Sequence, residues 1–175
     1  LLTLSNTKKK NNKKIKQLAN HKRVSIAIAI DKVFNFYYPE SLEFFAQQNV
    51  QVLPWRPIED EKIPEEAQGV IIPGGFPEDY AIELSKCKVS KDSLREIYKL
   101  KPIYAECGGM IFLGKFLYSS DGRAYEMSGL IPYSFKKGNL SIGYREIKCL
   151  NQSLICREGE TLRGHEFHRW QISED

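Results

Sequence analysis

The first apolar run of the chain, VSIAIAI at 24–30, is short, rich in β-branched residues and apolar at nearly every position. Such a run suits a strand buried on both faces, as in a parallel sheet, and not the alternation of a half-exposed strand. After a stretch at 31–38, Pro39 can open a helix in which Leu42, Phe45 and Ala46 recur at helical spacing, and 50–53 reads as the next strand. A third apolar run at 69–72 breaks at Pro73-Gly74-Gly75, after which 77–85 and 90–100 read as helices. A fourth strand at 102–105 runs through Glu106-Cys107-Gly108-Gly109 into an apolar helix at 110–116. Beyond Arg123 shorter strands are predicted near 126–130, 144–150, 153–156 and 166–172.

Strands alternating with helices, followed by a run of strands, predict an α/β fold: a three-layer, flavodoxin-like sandwich with a mostly parallel sheet and antiparallel strands near the C-terminus. The pattern leaves open whether the late strands extend the main sheet or form a small one beside it. At 175 residues the chain has room for one core, and its 42% hydrophobic and 27% charged content is globular. No apolar run reaches the length of a membrane span and no signal-peptide core opens the chain, so a soluble cytoplasmic protein is expected.

Charge divides the chain in two. Of 26 Lys and Arg, eight fall within 1–23, where no acid occurs, which leaves 18 against 22 acids in the remainder. Residues 1–23 therefore read as a flexible basic linker and 24–175 as the folded domain. Lysines and asparagines without aromatic interleaving argue against a nucleic-acid partner. A linker at the start also suggests that another domain precedes it. The four cysteines show no CxxC pair and no metal-ligand spacing, so reduced thiols are expected.

Chemistry concentrates in three segments. In PIYAECGGM, 102–110, a buried strand ends in Cys107, two glycines and a helix. A tight turn there pushes the side chain out of the sheet edge, the positive end of the helix favours a thiolate, and the Gly108 N–H is placed to receive an oxyanion. In LRGHEFH, 162–168, stand two of the three histidines. On a strand, His165 and Phe167 share one face while Glu166 and His168 share the other, so one histidine faces Cys107 and His168 has a carboxylate beside it. The same alternation argues against a metal held by the two histidines, and no metal is expected. In IIPGGFPE, 71–78, another strand ends in a glycine turn, which in a parallel sheet can lie beside Cys107 and lend a second N–H from Gly75 or Phe76.

Together these segments resemble the triad-type (class I) glutamine amidotransferases, and within them the branch that amidates corrinoid precursors. AIDKVFNFYYPESL at 29–42, IIPGGFPE at 71–78, YAECGG at 104–109, GYRE at 143–146 and RGHEFH at 163–168 look like the ordered signature blocks of the cobyrinate a,c-diamide synthases. The resemblance implies glutamine hydrolysis through a thioester on Cys107, with His168 as the base and Gly74, Gly75 and Gly108 forming the oxyanion hole. Better-known members place a glutamate two residues after the histidine. Here Glu166 comes two before His168, so either Glu166 is the third member or the site is a Cys–His dyad. Pro73 stands where a third glycine is expected.

The same resemblance implies ATP-dependent amidation of the a and c carboxylates of cobyrinic acid by the full protein. ATP and Mg2+ belong to an N-terminal synthetase domain, since this chain has no GxxxxGK(S/T) phosphate loop and is expected to need no cofactor of its own. The implied partners are glutamine, that synthetase domain and the corrinoid it binds, with a second copy of the chain as a further candidate. Arg145 and Arg163 are candidates for gripping the glutamine carboxylate, because a guanidinium holds one through two hydrogen bonds. Competing readings are an amidotransferase for another tetrapyrrole, of the nickel-sirohydrochlorin or cobyric acid type, and a catalytically silent docking domain.

Overall fold

The computed structural model describes residues 23–173; residues 1–22 of the basic stretch, His21 among them, lie outside the described residues. Four parallel strands, β1 (Val24–Ala29), β2 (Val50–Trp55), β3 (Gly69–Ile72) and β4 (Ile103–Ala105), form a sheet in the order β2-β1-β3-β4. In register, Ala27 stands beside Leu53 and Val70, and Ile28 beside Pro54 and Ile71. Pro54 is tolerated because β2 lies at the sheet edge, where one row of N–H groups has no partner strand to serve.

Alternation along the strands gives the sheet two apolar faces. Ala27, Ala29, Leu53, Trp55, Val70 and Ile72 are buried on one, together with Leu84, Leu94, Ile111 and Phe112 from the helices. The helices are α1 (Pro39–Gln47), α2 (Ala81–Lys86), α3 (Lys88–Tyr98) and α4 (Gly108–Leu113). On the other face, Leu42 and Phe45 of α1 stand over Ile26, Ile28, Ile71 and Tyr104 around an apolar groove of about 400 Å³. Pro39 opens α1 as the pattern predicts. Helix on both sides of a parallel sheet is the three-layer α/β arrangement expected.

The late strands form a sheet of their own, β6-β5-β7-β8, from β5 (Phe116–Tyr118), β6 (Ala124–Glu126), β7 (Ser134–Lys148) and β8 (Thr161–Ser173). β5 runs parallel to β7, while β6 pairs antiparallel with β5 and β8 antiparallel with β7, so this sheet is mixed. Leu117 and Phe135 join it to the common core. β7 and β8 make a long hairpin, irregular between Lys137 and Ser141, which carries the histidines.

Several elements differ from the sequence pattern. The helix expected over 110–116 ends at Leu113, because Gly114 turns to extended geometry and Phe116 opens β5. The strand expected at 126–130 keeps only Glu126. Met127, Ser128, Gly129 and Leu130 bond instead to the carbonyls of Lys115, Phe112, Gly114 and Leu113, wrapping the end of α4. The expected helix at 77–85 divides into a 3-10 turn, Pro77–Tyr80, and α2. Residues 153–156 are no strand but part of the hairpin loop, where Cys149 and Cys156 are joined in a disulfide and are not the reduced thiols expected. The loop folds back and brings their Cα atoms to 6.5 Å, within bonding reach, a proximity that their spacing in the chain does not signal. Cys87 is buried, donates to the Glu83 carbonyl at 3.3 Å, and burial pushes its thiol pKa up, so it serves the core.

Candidate active site

Cys107 joins β4 to α4 with φ 50° and ψ −117°, a backbone conformation that residues other than glycine rarely adopt. The surrounding turn enforces it. Glu106 donates its N–H to the Ile72 carbonyl at 3.2 Å, and Gly109 donates to the Glu106 carbonyl at 2.9 Å. A β-carbon on Gly109 would meet the Ile72 oxygen at 2.2 Å, and one on Gly75 would meet the Val33 oxygen at 1.8 Å. A β-carbon on Gly74 would lie 3.5 Å from Cβ of Cys107. The glycine turns that end the neighbouring strands β3 and β4 thus pack together at the carboxyl edge of the sheet, where a parallel topology brings them.

Asp31, in the first of the recognisable blocks, supports this packing from behind. Its Oδ1 accepts the N–H groups of Val33 and Phe34 at 2.8 and 2.9 Å, and its Oδ2 accepts that of Ile58 at 3.0 Å. The loop so fixed offers the Val33 carbonyl to the Phe76 N–H at 3.1 Å. Of the two amides expected from the second turn, that of Phe76 is therefore engaged. The N–H groups of Gly75 and Gly108 make no hydrogen bond among the described residues, while Gly74 accepts from Phe36 at 3.1 Å.

The hairpin supplies the other side. Cys107, Gly75 and Gly108 share a cleft of about 840 Å³ with His165, Glu166 and His168. Strand alternation was expected to exclude one histidine, yet both line the cleft; His165 also stacks edge-on against Tyr144, ring centroids 5.2 Å apart. The Cys107 thiol is exposed and has no hydrogen-bond partner among the described residues, His168 included. Nδ1 of His168 lies 2.7 Å from the Trp170 carbonyl oxygen. A carbonyl only accepts, so in the neutral ring Nδ1 carries the hydrogen and Nε2 the lone pair. Glu166 Oε2 stands 3.8 Å from that Nε2. Its other oxygen accepts from the Ser141 hydroxyl and the Arg145 guanidinium, which together hold the carboxyl below the usual glutamate range.

Arg145 and Arg163 are placed elsewhere. Arg145 is paired with Glu166, Arg163 Nε donates to Glu146 at 3.0 Å, and the two arginines line a separate recess with Tyr144 and Gly164. The cations that line the Cys107 cleft are Lys137 and Arg169, which nothing in the sequence distinguishes from other exposed bases. Glu78 lines it too, one oxygen bound to the Trp170 indole at 2.8 Å. The turn PGGFPE draws attention to its glycines and hides this acid. Among the described residues no group of three or more His, Cys, Asp or Glu is placed to hold a metal ion, and no helix is long and apolar enough to cross a membrane.

A three-layer α/β domain that delivers a cysteine onto a strand-to-helix elbow, beside a second glycine turn, is the fold class of the class I glutamine amidotransferases. The chain belongs to the family of CobB/CobQ-like glutamine amidotransferase domains, whose family model matches residues 25–174. It is 36% identical over 159 residues to the cobyrinate a,c-diamide synthase of Caldanaerobacter subterraneus, covering 89% of this chain and 35% of that protein. The cobyrinate a,c-diamide synthase of a Synechocystis species is 38% identical over 151 residues, 85% of this chain and 31% of its own length. That of Picrophilus torridus is 37% identical over 150 residues, 85% of this chain and 34% of its own length. The chain thus spans about a third of the length of these curated relatives.

Proposed function

We propose that this chain is the glutamine-hydrolysing portion of a cobyrinate a,c-diamide synthase, releasing ammonia for amidation of the corrinoid a and c carboxylates. The observation that carries the reading is the position of Cys107, exposed at a strained elbow with two unbonded N–H groups beside it, in one cleft with His168. The Cys107 sulfur attacks the glutamine carboxamide carbon while Nε2 of His168 takes the thiol proton. The N–H groups of Gly75 and Gly108 receive the developing oxyanion, and the protonated histidine hands its proton to the departing ammonia. Water then cleaves the thioester and frees glutamate.

The Trp170 carbonyl, which sets the tautomer of His168, fills the orienting role that a third carboxylate has in a triad. Glu166 faces the proton-accepting nitrogen instead, its Oε2 3.8 Å from Nε2, where it can pair with the imidazolium once formed. The geometry therefore favours a Cys–His pair assisted by Glu166. That no hydrogen bond joins thiol to imidazole agrees with sites whose catalytic contacts tighten only around substrate.

ATP and Mg2+ belong in this reading to the synthetase portion, as does the corrinoid. The names of the relatives favour cobyrinate over other tetrapyrrole acceptors. The test is labelling with 6-diazo-5-oxonorleucine, a glutamine analogue that alkylates amidotransferase nucleophiles, followed by peptide mapping. An adduct on Cys107 that glutamine competes away, and that Cys107→Ser lacks, is the expected result. A folded chain that forms no adduct even when joined to its synthetase portion would identify a silent domain.

A further inference from the structure

The Cys107 cleft contains an acid that glutamine hydrolysis, as described, leaves unused. Glu78 sits in the 3-10 turn Pro77–Tyr80 and is fixed from two sides. The preceding Pro77 packs on the elbow, its Cδ 2.9 Å from where a β-carbon on Gly108 would lie, and the Trp170 indole N–H donates to Glu78 Oε1 at 2.8 Å. The other oxygen, Oε2, is sealed from solvent and meets no hydrogen-bond partner among the described residues. No Lys, Arg or His among them forms an ion pair with Glu78. A carboxylate oxygen withdrawn from water costs free energy until a donor or a cation reaches it.

We propose that the Glu78 carboxylate, which lines the cleft, receives the α-ammonium of glutamine and so selects an amino acid over a simple amide. The inference rests on the glutaminase reading of the cleft and adds to it the residue that recognises the substrate's positive end. The cleft has the charge pattern an amino-acid zwitterion needs, because Lys137 and Arg169 line it as well and neither is held in an ion pair. Trp170 ties recognition to catalysis: its carbonyl sets the His168 tautomer while its indole holds Glu78 in place. An ammonium seated on Glu78 would therefore be positioned by the same residue that positions the base.

Cys107 is the one exposed free thiol among the described residues, so its alkylation by iodoacetamide reports occupancy of the cleft. Protection is compared for L-glutamine and for 4-carbamoylbutanoate, which is glutamine without the α-amino group, each protein being normalised to its own unprotected rate. The native chain is expected to be protected at glutamine concentrations about tenfold or more below those needed of the deaminated analogue, since hydrogen bonds between ionised partners are the strong class. In Glu78→Gln the two compounds should protect alike. Equal protection of the native chain by both, or a preference for glutamine that survives in Glu78→Gln, overturns the proposal while the glutaminase reading stands. If glutamine does not protect the native chain even when it is joined to its synthetase portion, that reading falls and this inference with it. Should Glu78→Gln not fold, Glu78→Asp takes its place. It keeps the charge but withdraws it by one methylene, and the preference for glutamine should shrink; an unchanged preference again overturns the proposal.

Discussion

Gly108 packs on Gly75 so closely that a β-carbon on residue 108 would lie 2.7 Å from the Gly75 carbonyl oxygen and 3.0 Å from its nitrogen. The turn that ends β3 and the turn that presents Cys107 are therefore one mechanical unit. Substitution of either glycine should disturb both. Gly75→Ala is the more severe, because its methyl would meet backbone, the Val33 oxygen at 1.8 Å, where no side chain can move aside. Urea denaturation should show a loss of about 3 kcal/mol or more for Gly75→Ala and a smaller loss for Gly108→Ala. Both should slow labelling of Cys107 by the glutamine analogue.

Cys107 holds a positive φ that glycine adopts freely. Cys107→Gly should therefore raise stability, by about 1 kcal/mol once the added freedom of the unfolded chain is subtracted. The same change removes the proposed nucleophile, so labelling and glutaminase activity should both disappear. A parallel Cys107→Ser variant should lose activity without gaining stability, and thermal unfolding of the pair separates strain from chemistry.

On the proposed mechanism, removing His168 should cost more than removing Glu166. His168→Gln is expected to lower the glutaminase kcat by roughly 10²–10⁴-fold, the range for general acid–base groups. Glu166→Gln should cost less than about tenfold in kcat, because the Trp170 carbonyl still sets the tautomer. A loss in Glu166→Gln as large as that in His168→Gln would restore Glu166 as a full triad member. Steady-state ammonia release measures both.

Glu166 also makes stability depend on pH. Its carboxyl is depressed in the folded chain, chiefly by the Ser141 hydroxyl and then by Arg145, so the unfolded chain binds its proton at higher pH than the folded one. The contribution is present above the unfolded value and is lost as pH falls through the folded one. The native chain should therefore melt above Glu166→Gln at pH 7, and the gap should begin to close near about pH 4, the ordinary glutamate range, and disappear at still lower pH.

Reduction of the Cys149–Cys156 bridge should lower stability by about 2 kcal/mol, the chain-entropy value for so short a loop. Thermal melts with and without dithiothreitol measure it. Cys107 labelling should be unaffected at temperatures where the reduced chain stays folded, since neither cysteine lines the cleft around Cys107.

The parallel sheet is legible in the sequence because strands buried on both faces appear as unbroken apolar runs, and VSIAIAI and GVII cannot be solvent-facing helices of the same length. The elbow is legible because a tight strand-to-helix turn needs glycines, and two follow Cys107 at the end of such a strand. The second sheet is harder. Phe116, Leu117 and Tyr118 satisfy a helix as well as a strand, and only the pairing of Leu117 with Tyr125 and Phe135 decides. What joins residues distant in the chain leaves no local mark at all: Glu78 and Trp170 are 92 positions apart, and their hydrogen bond is invisible until both are folded. The arginines mislead for the complementary reason, since their partners Glu166 and Glu146 are cross-strand neighbours that only the hairpin register reveals.

The hairpin of β7 and β8 has a consequence in time. Its strands are consecutive in the chain and can zip from their own loop, whereas β4 finds β3 only after α2 and α3 have brought it back. Loop closure weighs on the second process and hardly on the first. Folding is thus expected to complete the ribbon that bears His168 before the sheet edge that bears Cys107, and the unusual backbone twist at Cys107 is then among the last conformations imposed.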